Sequence, residues 1–244
     1  MVQEVRHRQP RIGTRKLYYL LRTELQSLPH KMGRDGLFTL LRDNGLLIHR
    51  KRRTCYTTNA AHGLRIYPNL LQDIEITAPD QVYASDITYV RSREGFYYLS
   101  LLSDLYSRKI LGYYLSNDLS AYGPLTVLRR CLRNLQLRTD IHLIHHSDRG
   151  IQYCSRSYIR LLQQKGVLIS MSKAGNPYDN AIMERIIGIL KEEFLLNVTF
   201  NDKGEALRSI KDAVTIYNEE RPHLSLHYKT PENVYKQRSK NQAA

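Results

Sequence analysis

Between Gln81 and Ser116 three runs rich in β-branched and aromatic residues follow one another: QVYASDITYV, FYYLSLLSDL and KILGYYLS. Only the short turns SREG and YSR separate them. Links that short join antiparallel neighbours, so the stretch predicts a three-stranded meander. The period then changes. Residues 121–137 place Leu125, Leu128, Leu132 and Leu135 on one side of a helix. IHLIHH reads as a fourth strand, Ser155–Lys165 as a helix and VLISMS as a fifth strand, with helices over 180–197 and 202–220 behind them. The link before the fourth strand is long enough for a right-handed crossover to a parallel neighbour.

The order predicts an α/β fold of the ribonuclease-H-like kind: a mixed five-stranded sheet with helices on both faces. Ahead of it lies a different kind of chain. Residues 1–70 carry 14 Lys/Arg against 4 Asp/Glu, and the remainder carries 23 against 19. Residues 13–27 show a helical stripe at Leu17, Leu20, Leu21 and Leu25, and Gly33–Asn44 repeats it with Leu37, Leu40 and Leu41. Gly45 stands where a helix end takes a left-handed residue. The basic strap Arg50, Lys51, Arg52 and Arg53 follows. The chain thus divides into a basic helical, helix-turn-helix-like DNA-binding region over 1–65, a linker over 66–78, a catalytic core with C-terminal helices over 79–235 and a disordered tail over 236–244.

A formal net charge of +14 calls for an anionic partner. No apolar run approaches the roughly 18 residues of a membrane span, and charges run through the first 30 positions. Nucleic acid is therefore the expected partner, with no membrane. Cys55, Cys131 and Cys154 are odd in number and far apart, which fits reduced thiols and a cytoplasmic setting. A zinc site built from His7, His30, His49, His62 and Cys55 lacks paired ligands at short spacing.

Three acids stand out. Asp86 lies mid-strand, a poor place for an ionised side chain. Asp148 ends the fourth strand, beside the first in this topology, and the chain breaks at Gly150. Glu184 lies on the flank of a helix whose stripe Met183, Ile187, Leu190 and Phe194 faces the core. Pro177 with Asp179 or Asn180 supplies that helix's first turn and cap, and Gly188 leaves room for substrate backbone. Converging carboxylates repel one another and stay ionised only beside cations. Hard divalent ions suit such oxygens, and a Mg²⁺ pair would serve phosphodiester chemistry.

Asp86, Asp148 and Glu184 have 61 and 35 residues between them. Around them stand SDITYV, YLSLLSDLYSRKILGYYLS, HSDRGIQY, SMSKAGNPYDNAIMERIIGILKEE and YNEERPHLSLHYKTPENVY. In these words the chain resembles the second-frame (OrfB) DDE transposases of two-frame bacterial insertion sequences, which share the retroviral integrase core. The likeness runs from about Pro79 to Tyr235. It implies metal binding by Asp86, Asp148 and Glu184, two Mg²⁺ ions with Mn²⁺ as substitute, nicking at the element ends and strand transfer by the freed 3′-hydroxyl. It also implies DNA contact by Lys191, which lies two turns beyond Glu184 on one helix face. As partners it implies insertion-sequence ends and target DNA, the upstream-frame protein and other copies of the chain. His146 is a candidate DNA contact and His145 a structural residue. Arg221 and His223, in ERPHLSL, read as a turn docking the last segment on the core. Tyr83 stands where the family usually has Trp, and reads as a packing substitution. Two alternatives are an inactive DNA-binding regulator of the same element and a nuclease acting on RNA–DNA hybrids.

Overall fold

The computed structural model describes residues 1–48, 63–72, 74–133, 143–173 and 180–240. Arg50, Lys51, Arg52 and Arg53 lie outside these, as do Pro177 and Asp179. Three helices come first: α1 (Val2–Arg8), α2 (Thr14–Ser27) and α3 (Arg34–Asp43). The core then runs β1 (Val82–Ser92), β2 (Gly95–Asp104), β3 (Ile110–Ser116), α4 (Tyr122–Arg133), β4 (Ile144–Ser147), α5 (Arg156–Gln164), β5 (Leu168–Met171), α6 (Ala181–Glu192), α7 (Lys203–Glu219) and α8 (Pro231–Lys240).

The sheet has five strands in the order β3-β2-β1-β4-β5. The meander is antiparallel, while β1–β4 and β4–β5 are parallel, as the crossover lengths require. Alternation along β1 sends Val82 and Ala84 to one apolar layer and Tyr83 and Ile87 to the other. The first layer is closed by α6 and α7 through Met183, Ile189, Ile210 and Tyr217. The second is closed by α4 and α5 through Leu128, Leu132, Tyr158 and Leu162. The N-terminal helices have a small core of their own, built from Ile12, Leu17, Leu21, Leu25, Leu37 and Leu41. Gly45 adopts φ +65° just past α3, where the Leu46 N–H returns to the Leu41 carbonyl at 2.7 Å.

Several boundaries differ from the sequence expectation. Helix α6 stops at Glu192, not Asn197. Leu195 is left-handed (φ 60°), and the Leu196 N–H closes on the Leu190 carbonyl at 3.2 Å. Its buried face is Met183, Ile186, Ile189 and Leu190, with Ile187 only partly buried, so the stripe is turned slightly from the expected one. Gly188 is buried in protein, which leaves no room there for substrate backbone. Asn180 takes the cap position of α6 without a side-chain cap bond. Helix α8 continues to Lys240, so the chain stays helical through the first five residues of the expected disordered tail. Residues 66–72 and 74–78 form no helix or strand, yet they are tied down. The Leu70 N–H donates to Ser170 Oγ (2.9 Å), and the Met171 N–H donates to the Pro68 carbonyl (3.2 Å).

Tyr83 does more than fill space. Its hydroxyl donates to Asp80 Oδ1 at 2.5 Å, and Tyr235 of α8 donates to the same oxygen at 2.7 Å. Helix α7 is fixed to the opposite edge of the sheet by Asn218. This side chain accepts from the Ile110 N–H (3.0 Å) and donates to the Ile110 carbonyl (2.9 Å). Asn218 thus substitutes for a neighbouring strand at the start of β3. Asn218→Ala leaves both buried backbone groups without these bonds and should cost about 1–3 kcal/mol. The check is the urea midpoint at unchanged m-value.

Candidate active site

The described parallel pairing of β1 and β4 matches Val82 with Ile144, Tyr83 with His145 and Ala84 with His146. Carried two residues further, this register sets Asp86 level with Asp148. Period-2 alternation puts Asp86 on the face of Val82 and Ala84, towards α6. Asp148 stands one residue past the end of β4, where its Oδ1 accepts the Gly150 N–H at 2.9 Å. A Cβ at position 150 would lie 2.9 Å from that oxygen and 3.0 Å from Gln152 Oε1. Glycine therefore lets the chain turn tightly enough to hold the carboxylate in place. Asp86 Oδ1 accepts the Ile87 N–H at 2.7 Å.

Burial pushes the Asp86 carboxyl up to about 7, and the negative charge of Asp148 adds to that rise. The Ile87 N–H opposes it, Glu184 raises it further and Lys191 lowers it. Asp148, Glu184 and Lys191 thus all lie near enough to Asp86 for their charges to act on it. Glu184 sits on the exposed side of α6, and Lys191 is half-buried on the same helix. Among the described residues, no three His, Cys, Asp or Glu side chains are grouped closely enough to hold a metal ion. The carboxylates nevertheless suit a hard divalent cation. The donors are all carboxylate oxygens, and the charges of Asp148 and Glu184, which add to the burial-driven rise of Asp86, are ones that a cation would offset.

His146, expected as a DNA contact, is placed in the interior instead. It is 1 % exposed, with Nδ1 bonded to Ser170 Oγ at 2.8 Å. Strand β5 covers it, because pairing aligns His146 with Ser170. His145 is structural, as expected: its Nε2 meets Ser85 Oγ and the Tyr158 hydroxyl, each at 2.9 Å. Burial pushes its imidazole down to about 3, so it stays neutral. Arg149 is turned to the backbone, with Nε donating to the Ser172 carbonyl at 2.8 Å.

Nothing in the local sequence marks Glu193. At the end of α6 it receives Arg221 Nε and Nη2, both at 2.9 Å, and Lys16 Nζ at 3.0 Å on each oxygen. Arg221 does dock the C-terminal segment, as expected, and Lys16 brings α2 to the same point. Burial would raise the Glu193 carboxyl, but the two cations hold it below its usual value. Burial and the neighbouring Arg221 push Lys16 down to about 8.

A mixed sheet in this strand order, with acids where β1 and β4 run together, defines an integrase-type ribonuclease-H-like core. Two models described as integrase core domain match residues 76–177 and 165–231. The HTLV-2 integrase catalytic core, solved in complex with magnesium, superposes with a TM-score of 0.51 at 16% identity, over 65% of this chain and 97% of that one. The 31 kDa protein of insertion element IS600 from Shigella sonnei is 40% identical over 88% of this chain and 77% of its own length. The transposase of insertion sequence element IS904 from Lactococcus lactis is 39% identical over 70% of this chain and 68% of its own. The chain belongs to the integrase-core transposase family of bacterial insertion sequences.

Two outcomes follow for the metal-free protein. In a carboxyl NMR titration Asp86 should titrate near 7, and Asp148→Asn should lower that value while burial keeps it above an ordinary aspartate. The folded value also exceeds the unfolded one of about 3.9. The contribution of Asp86 to stability is therefore complete below pH 4 and lost as pH rises through about 7. Asp86→Asn should flatten that decline when urea midpoints are compared across pH.

Proposed function

We propose that the chain is a metal-dependent polynucleotidyl transferase that nicks DNA at insertion-sequence ends and joins the freed 3′-hydroxyl to target DNA. The observation that carries this reading is the β1–β4 register that sets Asp86 level with Asp148, with Glu184 and Lys191 of α6 near enough for their charges to act on Asp86. Family membership supports it, as does the magnesium of the HTLV-2 relative.

Asp86, Asp148 and Glu184 would hold the cation: two Mg²⁺ ions, with Mn²⁺ as substitute. Bound there, a divalent ion lowers the pKa of the attacking hydroxyl and takes up charge on the leaving oxygen. The rest is positioning. Gly150 and Ile87 fix the two aspartate carboxylates through their N–H groups. Lys191 offers a cation to a backbone phosphate beside the acids. In the first step water attacks phosphorus, the bond to the 3′-oxygen breaks and a free 3′-hydroxyl results. In the second, that oxygen attacks a target phosphodiester and displaces the target's own 3′-oxygen. The basic N-terminal region, with Arg50, Lys51, Arg52 and Arg53, would hold the duplex through its phosphates. Joining two ends calls for more than one copy of the chain on DNA, together with the upstream-frame protein.

The test is a strand-cleavage and joining assay with Mg²⁺, insertion-end duplex and, in parallel, an RNA–DNA hybrid. Wild-type protein should act on the DNA ends. Asp148→Asn should fall below about 1% of wild type, since it removes a proposed ligand and not merely a supporting contact. Its thermal melt and its DNA affinity without metal should be unchanged. Full activity in Asp148→Asn overturns the site. Preferential cleavage of the hybrid would make the protein a nuclease, and failure to bind Mn²⁺ would make it a DNA-binding regulator.

A further inference from the structure

We propose that the outer end of the β1–β2 ribbon is a stacking platform for unpaired DNA bases. The inference rests on DNA being the substrate and adds a subsite for single-stranded segments near the ends.

The platform is an unusual piece of surface. Tyr89 and Phe96 are each 50 % exposed. Tyr89 pairs with Tyr98 across the ribbon, and Phe96 pairs with Arg91. Alternation puts all four side chains on one face. The ring centroids of Tyr89 and Phe96 lie 5.9 Å apart at 83°, and those of Tyr89 and Tyr98 lie 5.2 Å apart at 59°. The Arg91 guanidinium stands 5.9 Å from the Phe96 centroid. Helices α4 and α5 cover this side of the sheet further back, over Tyr83, Leu102, Leu128 and Tyr158, and the aromatic group takes no part in that core. Two half-exposed rings beside the half-buried Tyr98 are costly to leave against water, and none of the three belongs to either core layer of the sheet.

Charge selects the occupant. Arg91 and Arg93 are both exposed at the ribbon's end. Glu94, in the turn of the ribbon, accepts a bond from Tyr97 at 3.3 Å, and Tyr97 belongs to the opposite layer. Aromatic faces beside guanidinium groups suit a strand of nucleic acid: rings take the bases and Arg takes the phosphates. A duplex hides its base faces, so the ligand is single-stranded.

Position agrees. Tyr89 is three residues beyond Asp86 on β1, about 10 Å along the strand. The described β1–β4 pairing ends at Ala84, so the ribbon projects past it beside the acids. A strand separated at a DNA end can leave the carboxylates and cross the ribbon onto its aromatic face.

The chain contains no tryptophan, so Tyr89→Trp creates a single fluorescent reporter at the platform. In the full chain without metal, a mixed-sequence oligonucleotide should quench this emission when single-stranded, saturably, and not when annealed to its complement. Tyr89→Ala should weaken single-strand affinity about tenfold, the worth of one stacked base. Its salt dependence should stay unchanged, because no phosphate contact is lost. Tyr89→Phe should restore wild-type affinity, and Arg91→Ala should reduce the salt slope. Unchanged emission at saturating single strand, or unchanged affinity in Tyr89→Ala, overturns the platform. So does a Tyr89→Ala protein that keeps its single-strand affinity but changes mass in sedimentation equilibrium, since a second copy would then own this face. Asp148→Asn separates this inference from the catalytic one: lost cleavage with quenching intact supports both, full cleavage with quenching intact condemns only the catalytic site, and lost cleavage without quenching condemns only the platform.

Discussion

The parallel pairing of β1 with β4 is the constraint on which the site depends. Side chains alternate along a strand, so a slip of one residue would send Asp86 to the layer of Tyr83 and away from α6. The observed register holds Val82 against Ile144 and Ala84 against His146. Apolar burial on both faces enforces it, because Val82, Ala84 and Ile144 must enter one core while Tyr83 enters the other. The same forces that bury the strands therefore bring two carboxylates level at the end of their pairing. Burial is the main reason that the Asp86 carboxyl is raised; the charges of Asp148 and Glu184 add to the rise and Lys191 opposes it.

Helix α6 joins this site to the rest of the molecule. Its N-terminal half carries Glu184, its C-terminal half carries Lys191, and Glu193 stands at its C-terminal cap. That last acid is clamped by Arg221 from the turn after α7 and by Lys16 from α2. Buried ion pairs seldom add much net stability, but they are demanding about geometry. The hub therefore fixes the end of α6 against both an N-terminal helix and the C-terminal segment. A second tie links Arg8 to Glu220, and Tyr19 stacks on Tyr228 with ring centroids 4.5 Å apart. The N-terminal helices keep their own small core and are anchored to the sheet-bearing part of the chain through polar and aromatic contacts.

Much of this was legible in the chain. Short turns dictated the meander, long links dictated parallel crossovers, and amphipathic stripes placed the covering helices. Asp86 and Asp148 stood out because an ionised residue is out of place in or beside a buried strand. Other expectations failed for reasons that periodicity cannot carry. His146 reads as a strand-end residue with access to ligand until β5 is laid beside it and Ser170 closes on its ring. Tyr83 reads as filler until Asp80 and Tyr235 converge on its hydroxyl from distant parts of the chain. The apolar run after Glu192 looks helical, but α6 is stopped by a left-handed Leu195, which no glycine announces. Glu193 is one acid among several in KEEF, and only folding supplies its two cations.

The sequence by itself determined the order and type of the elements and the basic character of the N-terminal third, because local period, link length and charge are properties of neighbouring residues. The tertiary structure alone decided which of those residues share a field, which histidines are withdrawn from solvent and which aromatics stay outside. Those outcomes depend on strand register and on the sheet faces that helices cover. Register and coverage arise from burial between segments tens to hundreds of residues apart, and no local pattern encodes them.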